Sequence, residues 1–208
     1  MGNAFIGQRG PAAVRRFLVV GHRAVTTPDF PLDDLTGSGG RMDLMLNAVA
    51  AALLVSHDIR RDSEVTLLLL GPPDPPRAIR FVGHEIESLN PDVRSNAALV
   101  RRALARASRI EWKASPGVYA SKSGLAEVLE AMAGTVVLLA ENGKDIRRVE
   151  VPRDAVFVLS DTHDLSPEEE RIVMNRGATR VSLGPRSTHT DHAIAIVHNE
   201  LDRRDAAW

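Results

Sequence analysis

The chain has 208 residues, of which 44% are apolar and 25% charged, and its formal net charge is −1 at pH 7. This composition predicts one globular domain with a sizeable core and excludes a wholly disordered chain. The absence of cysteine excludes disulfides, zinc–thiolate sites and cysteine nucleophiles. Because no apolar run is long enough to span a bilayer, we expect no membrane partner and a cytoplasmic location.

Positive charge is concentrated in arginine, since only three of the 26 basic residues are lysine. Arginine suits planar phosphate recognition, so its clustering on one predicted helix suggests a local surface for RNA. The alternative is a solvated helix face in a sequence with biased codon usage. That helix face would carry Arg101, Arg102, Arg106 and Arg109.

The first elements in chain order follow a stretch without periodic apolar residues. Residues 1–14 are interpreted as a flexible extension, and residues 15–208 as one domain. A buried strand is predicted at Phe17–Val20, followed by a long loop at Thr26–Gly40 and a helix from Arg41 to His57. The glycine-rich turn before this helix favours close backbone approach to RNA or a partner subunit over nucleotide binding.

The middle of the chain contains its most strand-like run, Val65–Leu70. The run does not alternate, which predicts a central parallel strand covered on both faces. Gly71–Arg77 contains four prolines and is predicted to be a turn, with a short strand at Ala78–Val82. A helix is predicted at Arg94–Ser108, with Asp92 positioned at its start.

Helices and strands alternate regularly after residue 115, which is typical of a doubly wound parallel α/β sheet. The predicted helices are 123–132, 167–175 and 190–201, with Thr190 as a cap, and the predicted strands are 135–139, 155–159 and 180–183. Each strand is followed by a polar or glycine-containing loop. Because the carboxyl ends of parallel strands share one edge, we expect a small-molecule crevice among Leu139, Ser160 and Leu183.

Metal binding and acid–base chemistry are both considered. Four residues near the crevice could be metal ligands: His163, Asp164, His189 and His192. Their spacing matches no recognised site, so capping and packing roles are preferred and no metal is expected. Glu168–Glu170 follow Ser166 at a predicted helix start, where acids favour the helix dipole. Asp33 and Asp34, in the long loop, stay open as acid or base candidates.

Several segments together resemble one known family. They are RFLVVGHRAVTTPDFPLDDLTGSGGRMDLM, SHDIR, LNPDVRS, SPGVY, FVLSDTHDLSPEEE and the last helix ending in HNELD. With these segments, residues 16–204 resemble the archaeal tRNA pseudouridine N1-methyltransferases of the SPOUT superfamily, which act at tRNA position 54. The combination is specific, whereas a short piece such as SLGP is not.

The resemblance implies a parallel-sheet α/β fold with a C-terminal trefoil knot, a homodimer, an S-adenosylmethionine site in the knot, and tRNA or another pseudouridine-containing substrate. The cofactor positions that it implies are Leu139, Ser160, Asp161, Leu183, Gly184, Pro185, Ala193 and Ile194. Relatives commonly have cysteine at the position of Ala193 and glutamate at that of Val93. The second departure bears on the identity of the substrate more than on the reaction.

Methylation of pseudouridine requires loss of the N1 proton as the sulfonium approaches, so a cation beside the developing uracilate would assist. Arg41, Arg60 and Arg94 are the candidates for that cation and for phosphate contacts, and Asp43 and Asp92 for an orienting group or base. One alternative is methylation of a free C-nucleoside or another RNA site. A second is an RNA-binding knot protein without catalytic activity.

Overall fold

The computed structural model describes residues 14–206, so the proposed extension at 1–14 lies outside the described residues except for Val14. Within this range the chain forms one eight-stranded sheet and five α-helices. The strands are β1 Arg15–Gly21, β2 Ser63–Leu69, β3 Arg77–Val82, β4 Trp112–Ser115, β5 Val118–Ser121, β6 Val136–Asp145, β7 Val156–Ser160 and β8 Thr179–Ser182. The helices are α1 Met42–Leu53, α2 Val93–Leu104, α3 Leu125–Ala131, α4 Pro167–Asn175 and α5 Thr190–Asp205.

The strand order is β4-β5-β3-β2-β1-β7-β6-β8. Five neighbouring strands run parallel, in the order β2-β1-β7-β6-β8, which confirms the predicted α/β class. The remaining three strands pair antiparallel at the other edge. The sheet is therefore mixed, with a parallel part of the predicted kind and an antiparallel edge, where β4 and β5 were not predicted.

Strand β1 occupies the centre of the sheet because its residues Phe17–Val20 are apolar and fully buried. Successive side chains alternate between two hydrophobic clusters: Phe17 and Val19 face α1, α2 and α5, whereas Leu18 and Val20 face α3 and α4. Burial of each of these apolar side chains stabilises the folded protein by about 2 kcal/mol. Helices therefore cover both faces, as predicted.

The long loop before α1 folds back onto its own chain. Gly40 has φ +62°, and a Cβ atom there would lie 2.0 Å from the carbonyl oxygen of Arg23. Thr26 Oγ1 donates to the carbonyl of Gly71 at 2.9 Å and fixes the loop over the end of β2. The glycine-rich turn thus approaches its own chain closely, and the structure explains it without RNA or a partner.

Several element boundaries differ from the predictions; helix α2, for example, ends at Leu104 and not at Ser108. Helix α1 ends at Leu53, because Leu54 is extended and pairs with Ile59. Strand β6 continues through the predicted loop 140–143, with a register irregularity. Helix α5 has His189 at its N-cap, and the predicted cap Thr190 instead donates its hydroxyl to the carbonyl of Ser160 at 2.8 Å.

The first strand and the last helix are joined by an ion-pair cluster around Arg15. Its guanidinium donates to Asp202 Oδ1 at 2.5 Å and to Asp205 Oδ2 at 2.9 Å. Arg60 donates to both carboxylate oxygens of Asp202, at 3.0 and 2.9 Å. His198 lies beneath them, 4% exposed, with Nε2 3.1 Å from the carbonyl oxygen of Ala52. This cluster holds the chain ends together at the amino end of β1.

Two further expectations concern the whole chain. Among the described residues, no helix is long and apolar enough to cross a membrane. The trefoil knot stays a prediction.

Candidate active site

A crevice of about 520 Å³ opens where strands β6, β7 and β8 end. The volume lies within the usual range of small-molecule sites. Six of the eight predicted cofactor positions line it: Leu139, Ser160, Asp161, Leu183, Gly184 and Ala193. Pro185 is exposed and Ile194 is fully buried in the core, and the structure does not place either among the lining residues.

The crevice walls are fastened to one another by hydrogen bonds. Thr190 joins the start of α5 to the end of β7 through the carbonyl of Ser160. Ser187, in the loop after β8, donates its hydroxyl to Glu141 in the irregular part of β6. These bonds connect all three strand ends, so the crevice has a defined shape before any ligand enters.

Sequence reasoning missed His22, which follows β1 directly. Its Nδ1 lies 3.1 Å from Asp161 Oδ1 and its Nε2 lies 3.1 Å from Glu169 Oε2. Because both neighbours are carboxylate acceptors, the ring satisfies both contacts only when both nitrogens carry protons. Burial opposes that charge, but the hydrogen bonds to Glu169 and Asp161 outweigh it and raise the pKa of His22 above its ordinary value of 6.5.

Asp161 is therefore a buried structural support of the crevice as well as a lining residue. Its side chain is 2% exposed and accepts backbone N–H bonds from His22 and His163, each at 2.9 Å. With both oxygens engaged, this carboxylate positions the β7 loop beside the crevice.

Replacing His22 with alanine leaves the buried Asp161 carboxylate without its charged partner. We expect about 2 kcal/mol of destabilisation, or a thermal midpoint lower by about 5 °C. The raised pKa makes the contribution of His22 fully present below pH 6.5, and it is lost as the pH rises through the folded-state value. Thermal unfolding of wild type and His22→Ala at several pH values measures this difference.

His163→Ala is the matched control, because the His163 side chain is 52% exposed and its ring nitrogen is 3.5 Å from Asp161. We expect a change below about 0.5 kcal/mol for this variant. Equal midpoint losses in the two variants would contradict the role assigned to His22.

The site also bears on metal binding. Ligand atoms of His22, Asp161 and His163 lie within 4.8 Å of one another. However, both ring nitrogens of His22 already bond to carboxylates, and the oxygens of Asp161 accept backbone N–H groups. The contacts satisfy these residues without a cation, and we assign them a structural role.

Of the predicted catalytic residues, Arg41 and Asp43 do not line the crevice, but Arg41 lies close enough to the lining residue Asp161 to interact with its charge. Arg41 donates from Nε and Nη2 to the two oxygens of Asp43, both at 3.0 Å. This bidentate bond, together with the more distant charge of Asp161, raises the pKa of Arg41. The Arg41 guanidinium is thus a fixed cation on the crevice side of the long loop.

The structure does not bring the other three catalytic candidates to the crevice. Arg60 is bonded to Asp202 at the opposite end of the sheet. Asp92 caps α2 by accepting from Ser95 N and Oγ, both at 2.8 Å, which lowers its carboxyl pKa. Arg94 is exposed in the first turn of α2. That helix begins near the amino end of β2, where β3 ends.

The acids of the long loop have structural contacts. Asp34 accepts from the hydroxyl and N–H of Ser38 and from the N–H of Gly37, and these bonds lower its pKa. A carboxylate held in this way forms the turn and is a weak base. Asp33 is exposed beside it.

The crevice residues fit S-adenosylmethionine in chemical character. Leu139, Leu183 and Ala193 offer apolar wall for a purine, while rim carboxylates and a cation suit ribose hydroxyls, an ammonium and a carboxylate. The rim residues are Glu141, Asp164, Glu170 and Arg186. Fold and site together define an α/β protein with a small-molecule crevice at the carboxyl ends of parallel strands.

Comparisons with known proteins agree with this class. A family model described as "Putative SAM-dependent RNA methyltransferase" matches residues 14–206. A tRNA (pseudouridine(54)-N(1))-methyltransferase of Methanocella arvoryzae is 50% identical over 193 residues, covering 92% of this chain and 100% of the relative. The Methanosarcina mazei protein of the same name is 43% identical over 197 residues, covering 93% of each chain.

The chain belongs to this family of RNA methyltransferases, which confirms the resemblance read from its segments. Its fold is shared with the crystal structure of Archaeoglobus fulgidus Nep1 bound to S-adenosylhomocysteine. That comparison has a TM-score of 0.58 and 17% identity, and covers 93% of this chain and 99% of the other.

Proposed function

We propose that the chain transfers the methyl group of S-adenosylmethionine to N1 of pseudouridine at position 54 of tRNA. The observation that carries this proposal is the 50% identity over nearly the whole chain to a relative named for that reaction. The crevice at the strand ends supports it, because its size and donor set suit the cofactor.

The proposed cofactor site is formed by the residues that line the crevice. Leu139, Leu183 and Ala193 would pack against the purine, and Gly184 would leave room beside it. When bound, the cofactor supplies an electrophilic methyl group on sulfur. His22 and Asp161 would keep the β7 loop in position while the substrate enters.

Arg41 is the proposed cation beside the uracil ring. Loss of the N1 proton leaves negative charge on the ring, and a fixed guanidinium stabilises that charge. Asp43 would orient Arg41 through its bidentate bond and so avoid reorganisation during the reaction. Arg60, Asp92 and Arg94 are assigned structural or surface roles instead.

Four broader features complete the proposal. The trefoil knot and the homodimer are proposed from membership of the family, and one domain is proposed because both sides of the sheet share the central strand β1. A cytoplasmic location is proposed because the substrate, tRNA, is used there.

Methyl transfer is tested with wild-type protein, S-adenosylmethionine and two substrates: tRNA that contains pseudouridine at position 54, and free pseudouridine. We expect one methyl group per tRNA, located on N1 of residue 54 by nuclease digestion and mass spectrometry. The matched control tRNA has uridine at that position and should gain none, because uridine has no free N1.

The alternatives predict other results. Methylation of the free nucleoside but not of tRNA would support a C-nucleoside methyltransferase, and a methyl group elsewhere would identify another RNA site. If calorimetry shows that the protein does not bind S-adenosylmethionine, both enzymatic interpretations are contradicted and an RNA-binding protein without catalytic activity is favoured.

A further inference from the structure

Helix α2 and the turn after it carry a concentration of positive charge. Residues 93–110 contain five arginines and no acidic residue, although the whole chain has a net charge of −1. The arginines are Arg94, Arg101, Arg102, Arg106 and Arg109. We call these five residues the α2 arginine surface.

All five side chains are exposed. None forms a close ion pair with another residue of the 14–206 range, although Arg94 interacts electrostatically with the N-cap residue Asp92. Arg101 donates from Nε to the carbonyl of Pro28 at 2.9 Å, and Arg106 lies over the ring of Trp112 at 5.8 Å. Both contacts orient the guanidinium without neutralising it. By contrast, exposed Arg171 on α4 pairs with Glu168. The charge of the α2 arginine surface is therefore available to an external anion.

The surface connects to the crevice through the long loop. Arg101 holds that loop at Pro28, and the same loop ends at Arg41 beside the crevice. Helix α2 packs on α1 and on strands β3, β5 and β4. Between β3 and β6 the strand order contains four intervals of about 4.8 Å, so the surface and the crevice are roughly 20 Å apart.

That separation identifies the kind of ligand that can reach both places. A nucleic-acid duplex presents one phosphate per roughly 1.7 Å of its axis, so it spans the distance with on the order of ten phosphates. A single nucleoside cannot contact both. The guanidinium group of arginine forms bidentate hydrogen bonds to phosphate oxygens, so several exposed guanidinium groups along one helix suit a phosphate backbone.

We propose that the α2 arginine surface binds the phosphate backbone of the RNA whose target base enters the crevice. This inference rests on the proposed function and adds the surface that distinguishes a whole RNA from a free nucleoside. It places the RNA across the face of the protein covered by α2 and the long loop.

The test uses the double variant Arg101→Gln/Arg102→Gln and unmodified tRNA, with affinity measured by fluorescence anisotropy at several salt concentrations. We expect binding weaker by about tenfold and a slope of log Kd against log salt smaller by about 2. Affinity for S-adenosylhomocysteine should not change, and the thermal midpoint should fall only slightly, because the lost bond from Arg101 to Pro28 is exposed to solvent. In methyl transfer, the KM for tRNA should rise while kcat is unchanged.

Two control variants accompany it. Arg147→Gln/Arg148→Gln removes the same charge from an exposed arginine pair beyond β6 and should leave tRNA affinity within about twofold. Arg101→Lys/Arg102→Lys keeps the charge but changes the bond to Pro28, and it should retain most of the affinity. Equal losses in both glutamine variants, or no loss in either, would overturn the proposal.

Because anisotropy needs no turnover, the two proposals fail separately. A wild type that binds tRNA through this surface but transfers no methyl group contradicts the proposed function alone. If the wild type methylates tRNA and the Arg101→Gln/Arg102→Gln variant binds tRNA with the same affinity, only the present inference is contradicted.

Discussion

Gly184→Leu should weaken S-adenosylmethionine binding by at least about 100-fold, or about 3 kcal/mol, and methyl transfer should fall with it. Gly184 lines the crevice, and a Cβ atom there would meet nothing within 4 Å. A leucine side chain would therefore extend into the space assigned to the cofactor. Calorimetric titration with the cofactor measures the loss.

Gly177→Leu separates cofactor binding from backbone strain. Gly177 also has positive φ, +77° against +153° at Gly184, and open space beside its Cα. It lies between α4 and β8, at the strand end opposite the crevice. Both variants should lose about 1 kcal/mol of stability, but only Gly184→Leu should lose binding. Unchanged binding in Gly184→Leu would show that the crevice is not the cofactor site.

Acidification from pH 6.5 to pH 4 should destabilise the protein by about 3 kcal/mol through His198. Burial, followed by the charges of Arg60 and Arg15, lowers the pKa of His198 to about 3. The unfolded state has the ordinary value of 6.5, so it binds the proton first and is favoured as the pH falls. Urea unfolding at half-unit pH intervals measures this loss.

His198→Gln provides the control, because an amide can donate to the Ala52 carbonyl and accept from Arg15 without titrating. We expect a loss of about 1–2 kcal/mol at pH 7 from poorer packing on Phe17, whose ring centroid lies 4.9 Å from that of His198. In this variant the free energy of unfolding should depend less on pH between pH 6.5 and 4. If the unfolding free energy of His198→Gln depended on pH as strongly as that of wild type, another group would be responsible for the acid sensitivity. Replacing the exposed His192 with glutamine should leave the pH dependence unchanged.

Other groups with shifted pKa values contribute mainly at the two ends of this window. The lowered pKa of Asp202, which burial opposes and the hydrogen bonds from Arg60 and Arg15 produce, removes stability only near and below its ordinary value of 3.8. The raised pKa of His22 acts above pH 6.5. Burial opposes the lowered pKa of Glu169, which the hydrogen bonds from His22 and Ser166 produce, and its contribution is lost around and below its ordinary value of 4.5. The upper part of the interval, from pH 6.5 to about 5, therefore reports most directly on His198.

The central strands were predictable because burial on both faces leaves an unbroken apolar run in the sequence. Val65–Leu69 shows this pattern and is fully buried. The edge strands β4 and β5 were missed, because a four-residue strand such as Trp112–Ser115 mixes apolar and polar residues and depends on its neighbour for pairing. The continuation of β6 was missed because Ala140–Gly143 resembles a loop.

The crevice walls were predictable from the strand ends, whereas the residues that support them were not. His22 meets Asp161 across 139 positions and Glu169 across 147, and no local pattern encodes such pairs. The available signal was a polar residue directly after a buried strand. The same limit applies to Arg60: its segment resembles the family, but its partner Asp202, 142 positions away, holds it at the far end of the sheet.

The bond between Arg15 and Asp205 has a consequence for synthesis on the ribosome. Strand β1 emerges early, yet its neighbour β7 follows about 140 residues later and α5 last of all. Until then the buried, largely apolar strand β1 has one edge without a partner, which favours association with other chains. The nascent chain thus completes its crevice only once β8 and α5 have emerged, and slow synthesis of this last part should lower the yield of folded protein more than its specific activity.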